Sequence, residues 1–178
     1  IGIIHRYNSV DEQAKIIMNI TSANHNVGAA IGIGEDYIER ALTLARVGVT
    51  FLCIDVAHGH HSKVRNALAS LRDTLGEDIH IMAGNVATLE AFNDLADWGA
   101  DSIRVGIGGG SICSTRIQTG HGMPTLQSVM DCAQSDRDAV LVADGGIRTS
   151  GDIVKALAAG ADFVMLGSLL AGTDETPG

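Results

Sequence analysis

The sequence has little of several things. Aromatic residues make up 3% of it, there are 2 Pro and 3 Cys in 178 residues, and 12 Lys plus Arg stand against 21 Asp plus Glu. A net charge of -9 excludes a surface built for nucleic acid or anionic lipid, which needs a Lys/Arg excess. An odd and low Cys count excludes a disulfide scaffold, and reduced thiols fit a cytoplasmic protein. No run of about 18 apolar residues occurs, so no membrane-spanning helix is expected. No basic segment leads into an apolar stretch, so no secretory signal is expected either. With so few aromatic rings, the core has to be built from Val, Ile, Leu and Ala.

What is present is glycine, 22 residues of it, and a repeating alternation. Continuous apolar runs at Ile1–His5, Val27–Ile33, Val49–Val56, Ile79–Asn85, Ser102–Ile107, Ala139–Asp144 and Phe163–Leu166 read as strands covered on both faces. Between them, Ser9–Ile20, Asp36–Arg46, His61–Leu75, Leu89–Trp98, Pro124–Ala133 and Gly151–Ala159 carry helical spacing; Leu89, Phe92, Leu95 and Ala96 form one such face. Val47-Gly48-Val49, Gly99-Ala100-Asp101 and Gly160-Ala161-Asp162 each place Gly just past a helix and a strand immediately after. Alternating strand and helix implies a parallel sheet with right-handed crossovers.

An open doubly wound sheet and a (β/α)8 barrel of the TIM type both fit that alternation. The barrel is favoured because polar and Gly-rich residues gather after the strands' C-terminal ends, where a barrel builds its site. These gatherings are Asp55–His61, Gly84–Thr88, Gly106–Thr119, Asp144–Gly146 and Gly167-Ser168. The whole chain, 1–178, reads as a single catalytic barrel. The longest interval between strands, from Ser102 to Ala139, holds the loop Gly106–Arg116, and oversized loops on that face carry function.

Cys113 is the sharpest candidate. It lies in that Gly/Ser/Thr loop with Arg116 close by, a setting that lowers a thiol's pKa and suits a nucleophile. Cys53, inside a strand, and Cys132, inside a helix, read as buried packing thiols. Glycines near Ser111, at Gly145-Gly146 and at Gly167-Ser168 read either as turns or as a backbone cradle for phosphate. Asp55 and Asp144 each end a strand, as loop caps or as acceptors for ribose hydroxyls. His58, His60 and His61 have no Cys or carboxylate at zinc spacing, and read as a polar loop lining a cofactor groove.

These residues resemble a known family. Val105–Arg116 is similar to the cysteine loop of the IMP dehydrogenase/GMP reductase family, and Asp55–His60, Ala83–Thr88, Ala143–Arg148 and Met165–Gly172 resemble its other motifs in order. The resemblance implies a purine nucleoside monophosphate, GMP or IMP, bound over a barrel, with Cys113 attacking purine C2. It implies that Ser111, Gly146, Gly167 and Ser168 hold the 5′-phosphate and Asp144 the ribose. Asp55, Asn85 and Gly106 would face NADPH or NAD, and Thr115 would assist the attacking or leaving group. Carbonyls of Gly108, Gly110 and Cys113 match a monovalent-cation (K+) site. The family's usual Gly-Pro-Gly-Ser is Gly108-Gly109-Gly110-Ser111 here, a looser turn.

Family dehydrogenases carry paired CBS modules between the second helix and third strand, where this sequence has only Thr21–Asn26. That shortness, His5-Arg6-Tyr7 and Thr119-Gly120 resemble GMP reductases; Ala156–Asp162 and Gly167–Leu170 lean toward dehydrogenases. GMP reductase is preferred, with IMP dehydrogenase as the alternative. An FMN-binding barrel would share the Asp-Gly-Gly phrase but leave the Cys loop unexplained. A third reading is a nucleotide-binding barrel without turnover, because the first βα unit and the C-terminal flap are expected to lie outside this sequence. The family also implies a homotetramer.

Overall fold

The computed structural model describes residues 1–176. All seven expected strands form: β1 (Gly2–Ile4), β2 (Val27–Ile31), β3 (Phe51–Asp55), β4 (His80–Val86), β5 (Ser102–Val105), β6 (Val140–Asp144) and β7 (Phe163–Met165). Helices α1 (Val10–Ser22), α2 (Tyr37–Arg46), α3 (Ser62–Leu75), α4 (Leu89–Asp97), α6 (Thr125–Cys132) and α7 (Ser150–Ala158) match the six expected ones. One helix, α5 (Thr115–Thr119), was not expected. Side-chain caps open several of them: Ser9 with Glu12 makes a capping box on α1, and Thr149 with Asp152 makes one on α7.

The strands are all parallel and neighbour one another in chain order, β1 to β7. A doubly wound sheet reverses its strand order at a switch point; this one does not, so the wall is that of a singly wound barrel, with β1 and β7 at its two edges.

Two apolar layers follow from the alternation of side chains along each strand. Outward residues such as Ile54, Ile81, Ile103 and Leu141 pack against Ile17, Leu44, Leu68, Leu71, Phe92 and Leu95 from the helices. Each such side chain, fully buried, contributes roughly 1.5–3 kcal/mol. Inward residues Ala30, Cys53, Met82 and Val142 form a smaller layer with Ile3, Phe51, Val140 and Met165.

The wall is pinned from below by aspartates in the repeated glycine phrase. Gly48, Gly99 and Gly160 all have positive φ (93°, 99° and 109°), the left-handed conformation that turns a helix end toward a strand. Asp101 then exchanges bonds with the strand before: its N–H donates to the Ile81 carbonyl (2.9 Å), and its carboxylate accepts the Ile81 N–H (2.6 Å). Asp162 does the same with Leu141, at 2.9 and 2.8 Å. Asp101 also pairs with Arg72, whose Nε donates to the Gly99 carbonyl at 3.0 Å. Replacing Asp101 with Ala takes the carboxylate from one guanidinium nitrogen of Arg72 and from the Ile81 N–H, while Arg72 keeps the Gly99 and Ile79 carbonyls. It is expected to lower the unfolding free energy by about 2–3 kcal/mol in urea titration, against a smaller loss for Asp162→Ala, whose carboxylate has no arginine.

Gln13 is the unexpected core residue. It is wholly buried in α1; its amide donates to the Ala30 (2.9 Å) and Ile4 (3.1 Å) carbonyls and its oxygen accepts from Arg40 (2.9 Å). One side chain thereby ties β1, β2 and α2 together beside the site.

Candidate active site

At the C-terminal ends of the strands lies a cavity of about 310 Å³. Its lining includes Arg6, Asp55, Asn85, Arg104, Cys113 and Asp144, with the Gly106–Gly110 backbone and Thr115. Eight of the residues singled out in the sequence therefore meet here: Asp55, Asn85, Gly106, Gly108, Gly110, Cys113, Thr115 and Asp144. Ser111, Gly146, Gly167 and Ser168 do not line it. They sit exposed on the loops after β5, β6 and β7, on the same face of the sheet.

The centre of the cavity floor is Arg104, which the sequence reading passed over as part of an apolar strand. Its lone charge at an inward position of Ser102-Ile103-Arg104-Val105 was the available signal. The residue is 7% exposed. Its guanidinium donates to Asp55 at 2.6 Å and lies 3.9 Å from Asp144. Burial alone would pull its pKa down, but Cys53, Asp144 and Asp55 around it outweigh that and hold it above the ordinary range. Arg6 approaches the other Asp55 oxygen at 3.6 Å.

The register explains how Arg104 reaches Asp55. Gly84 of β4 is the cross-strand partner of both, Asp55 on one side and Arg104 on the other. A Cβ at Gly84 would lie 2.7 Å from the Arg104 Cβ, so a side chain there would block the crossing. Asn85, next along, donates its amide to Asp144 (2.8 Å) and to the Gly106 carbonyl (2.8 Å). Gly106 has φ 141°, and a Cβ on it would lie 2.0 Å from the Asp144 carbonyl oxygen; only glycine lets these two loops touch.

Cys113 is half-buried and lies two residues before the short α5, next to its N-cap Ser114. Its Sγ lies 3.3 Å from Thr115 Oγ1, and its N–H donates to the Gly110 carbonyl (3.2 Å). Hydrogen bonds from the Thr115 side chain and backbone, with smaller help from Arg116 and the Gly108 backbone, hold its thiol below the usual range. By contrast, burial pushes Cys53 up to about 11 and Cys132 up to about 12. Cys53 and Cys132 are buried packing thiols, while Cys113 is the loop-borne thiol whose pKa is lowered. Since Thr115 is the largest cause, Thr115→Val is expected to move the midpoint of iodoacetamide alkylation of Cys113 to higher pH. The wild-type thiol is expected to alkylate at lower pH than an ordinary cysteine.

The His-rich loop after β3 has structural partners. His60 pairs with Asp94 (2.8 Å) and stacks on Trp98, and His61 caps α3 by accepting the Lys63 N–H (3.0 Å). Gly59 N–H donates to the Asn85 carbonyl (2.8 Å), so the loop braces the residue that holds Asp144. Among the described residues no three His, Cys, Asp or Glu side chains gather as metal ligands, and no helix is long and apolar enough to cross a membrane.

Fold and site together define a singly wound α/β barrel wall with a loop-borne thiol above its strand ends. The chain belongs to the IMP dehydrogenase / GMP reductase domain family, whose model matches residues 1–178. It is 51% identical to the inosine-5′-monophosphate dehydrogenase of Chlorobaculum parvum over 154 residues, 85% of this chain and 31% of that protein. It is also 51% identical to the GMP reductase of Leishmania major over 155 residues, 85% of this chain and 32% of that one. Among solved structures, inosine 5′-monophosphate dehydrogenase from Legionella pneumophila superposes with a TM-score of 0.90 at 50% identity, covering 100% of this chain and 53% of that one. GMP reductase from Trypanosoma brucei gives 0.83 at 46%, covering 85% and 34%. The chain thus spans about a third of the length of the curated relatives it matches.

Proposed function

We propose that this chain supplies the catalytic barrel, without CBS modules, of a purine-nucleotide oxidoreductase working at purine C2 through a covalent bond to Cys113. The preferred reaction is reductive deamination of GMP to IMP with NADPH. The alternative is oxidation of IMP to XMP with NAD, and the comparisons stand equally close to both. The observation that carries the reading is an acidified Cys113 thiol in one cavity with Asp144, Asn85 and the Gly106–Gly110 backbone.

In the preferred reaction the Cys113 thiolate adds to C2 of the purine. The bond from C2 to the exocyclic nitrogen then breaks, and the nitrogen takes a proton and leaves as ammonia. Thr115, 3.3 Å from the sulfur, would stabilise the thiolate before attack and help deliver that proton. C2 would gain a hydride, the chemistry that a reduced nicotinamide nucleotide would supply when bound. Breaking the C2–S bond returns the thiolate and IMP. Asp144 would hold the ribose hydroxyls, with one carboxylate oxygen already fixed by Asn85. Ser111, Gly146, Gly167 and Ser168 would hold the 5′-phosphate, and their exposed position outside the cavity suits a group that points to solvent. The nicotinamide nucleotide would lie toward Asp55, Asn85 and Gly106. The fit there includes a buried donor in want of an acceptor, since the Arg104 Nε has no hydrogen-bond partner. A K+ ion on the Gly108, Gly110 and Cys113 carbonyls would use carbonyl oxygens alone, the donor set that suits a weakly hydrated cation. A homotetrameric, cytoplasmic enzyme is part of the same reading.

The test is the encoded protein assayed with each pair. Loss of reduced-nicotinamide absorbance and release of ammonia with GMP and NADPH supports the reductase. Gain of absorbance with IMP and NAD assigns the dehydrogenase. Turnover of neither pair contradicts the proposal.

A further inference from the structure

Thr125 is the first residue of α6, and its hydroxyl oxygen is buried without a hydrogen-bond partner. It lies between two loops of the site. A Cβ at Gly109 would fall 2.6 Å from that oxygen and 3.1 Å from the Gly145 carbonyl carbon, and a Cβ at Gly106 would fall 3.3 Å from the Thr125 methyl. Thr125 is therefore wedged where the Cys113 loop meets the turn after β6.

Ser128, one turn further on, also has an unpaired hydroxyl. A serine inside a helix can rotate to the carbonyl four residues back, here Pro124, whose carbonyl already accepts the Ser128 N–H. Thr125 has no such recourse, because the residue four before it, His121, precedes the helix. Valine has the same shape and would fill the space without a polar group to satisfy. Buried hydroxyls rarely stay unpaired, so the Thr125 hydroxyl calls for a partner in another state of the site.

The Gly145 carbonyl is one acceptor on the facing loop. Its oxygen lies 3.3 Å from the same Gly109 Cβ position that is 2.6 Å from Thr125 Oγ1. A bound nucleotide would bridge the two loops, through Ser111 on one and Gly146 on the other, and fix how they meet. We propose that Thr125 is a positioning residue: its hydroxyl donates to the Gly145 carbonyl when nucleotide spans the two loops, and so fixes the loop that presents Cys113. This inference rests on the nucleotide-binding reading above.

The experiment compares Thr125→Val and Thr125→Ser with the wild-type protein, measuring Tm without ligand and affinity for GMP and IMP by calorimetry. Thr125→Val should raise Tm by about 2–4 °C, because it removes an unpaired buried hydroxyl. It should nevertheless weaken nucleotide binding about three- to tenfold. Thr125→Ser, which keeps the hydroxyl, should retain the wild-type affinity. A merely structural threonine would not move Tm and affinity in opposite directions. A Tm that stays level or falls in the valine variant overturns the proposal whatever the ligand result, since the hydroxyl would then be paired already. Unchanged affinity in the valine variant overturns it as well, with nucleotide binding itself intact. A wild-type protein that binds neither nucleotide removes the functional reading, and the proposal with it.

Discussion

Replacing Arg104 with methionine is expected to lower the unfolding free energy by about 3 kcal/mol. The guanidinium is 7% exposed and lies between two carboxylates, at 2.6 Å from Asp55 and 3.9 Å from Asp144. Removing it leaves both acids facing the inside of the curled sheet without the charge that offset them. The loss is less than that of a wholly buried pair because Asp55 keeps Arg6 and Asp144 keeps Asn85. In urea titration the midpoint should fall with the slope unchanged. Arg104→Lys should recover part of the loss, because an ammonium carries the charge but cannot fork toward two acids. A methionine variant as stable as the wild type would mean that this arginine does not balance the inner face.

The second expectation separates chemistry from folding. Cys113→Ala should reduce turnover by at least about 10³-fold, as loss of a covalent nucleophile does, while stability changes by less than about 0.5 kcal/mol. The thiol makes one side-chain bond, to Thr115, and is not part of either apolar layer. Cys53→Ala and Cys132→Ala should show the reverse pattern. Both thiols are fully buried in packed layers, so their loss should lower Tm and leave Cys113 alkylation at its wild-type rate.

Much of this architecture is legible in the sequence because the signals are local. Continuous apolar runs mark each strand, and the glycine phrases at Gly48, Gly99 and Gly160 mark three helix ends whose positive φ the structure bears out. Asp55 and Asp144 end β3 and β6 as expected. The misses depend on contacts between segments distant in sequence, or on elements too short to show a pattern. Arg104 looks like an interruption of an apolar run until Gly84 is seen to lie between it and Asp55. Gly106 is expected toward the cofactor, but its close approach to the Asp144 carbonyl is seen only in the folded loops. The helix α5 is too short to show a period. The choice between reductase and dehydrogenase is not written in the barrel wall, since relatives of both names match it at 51% identity.

The central claim is a covalent bond between Cys113 and purine C2. The direct measurement is to quench the encoded protein in acid during turnover, digest it, and weigh the peptide that contains Cys113. The account predicts a nucleotide-sized mass on that peptide, present with GMP and NADPH or with IMP and NAD, and absent in Cys113→Ala. Continued turnover by Cys113→Ala, or the added mass on another residue, would contradict it.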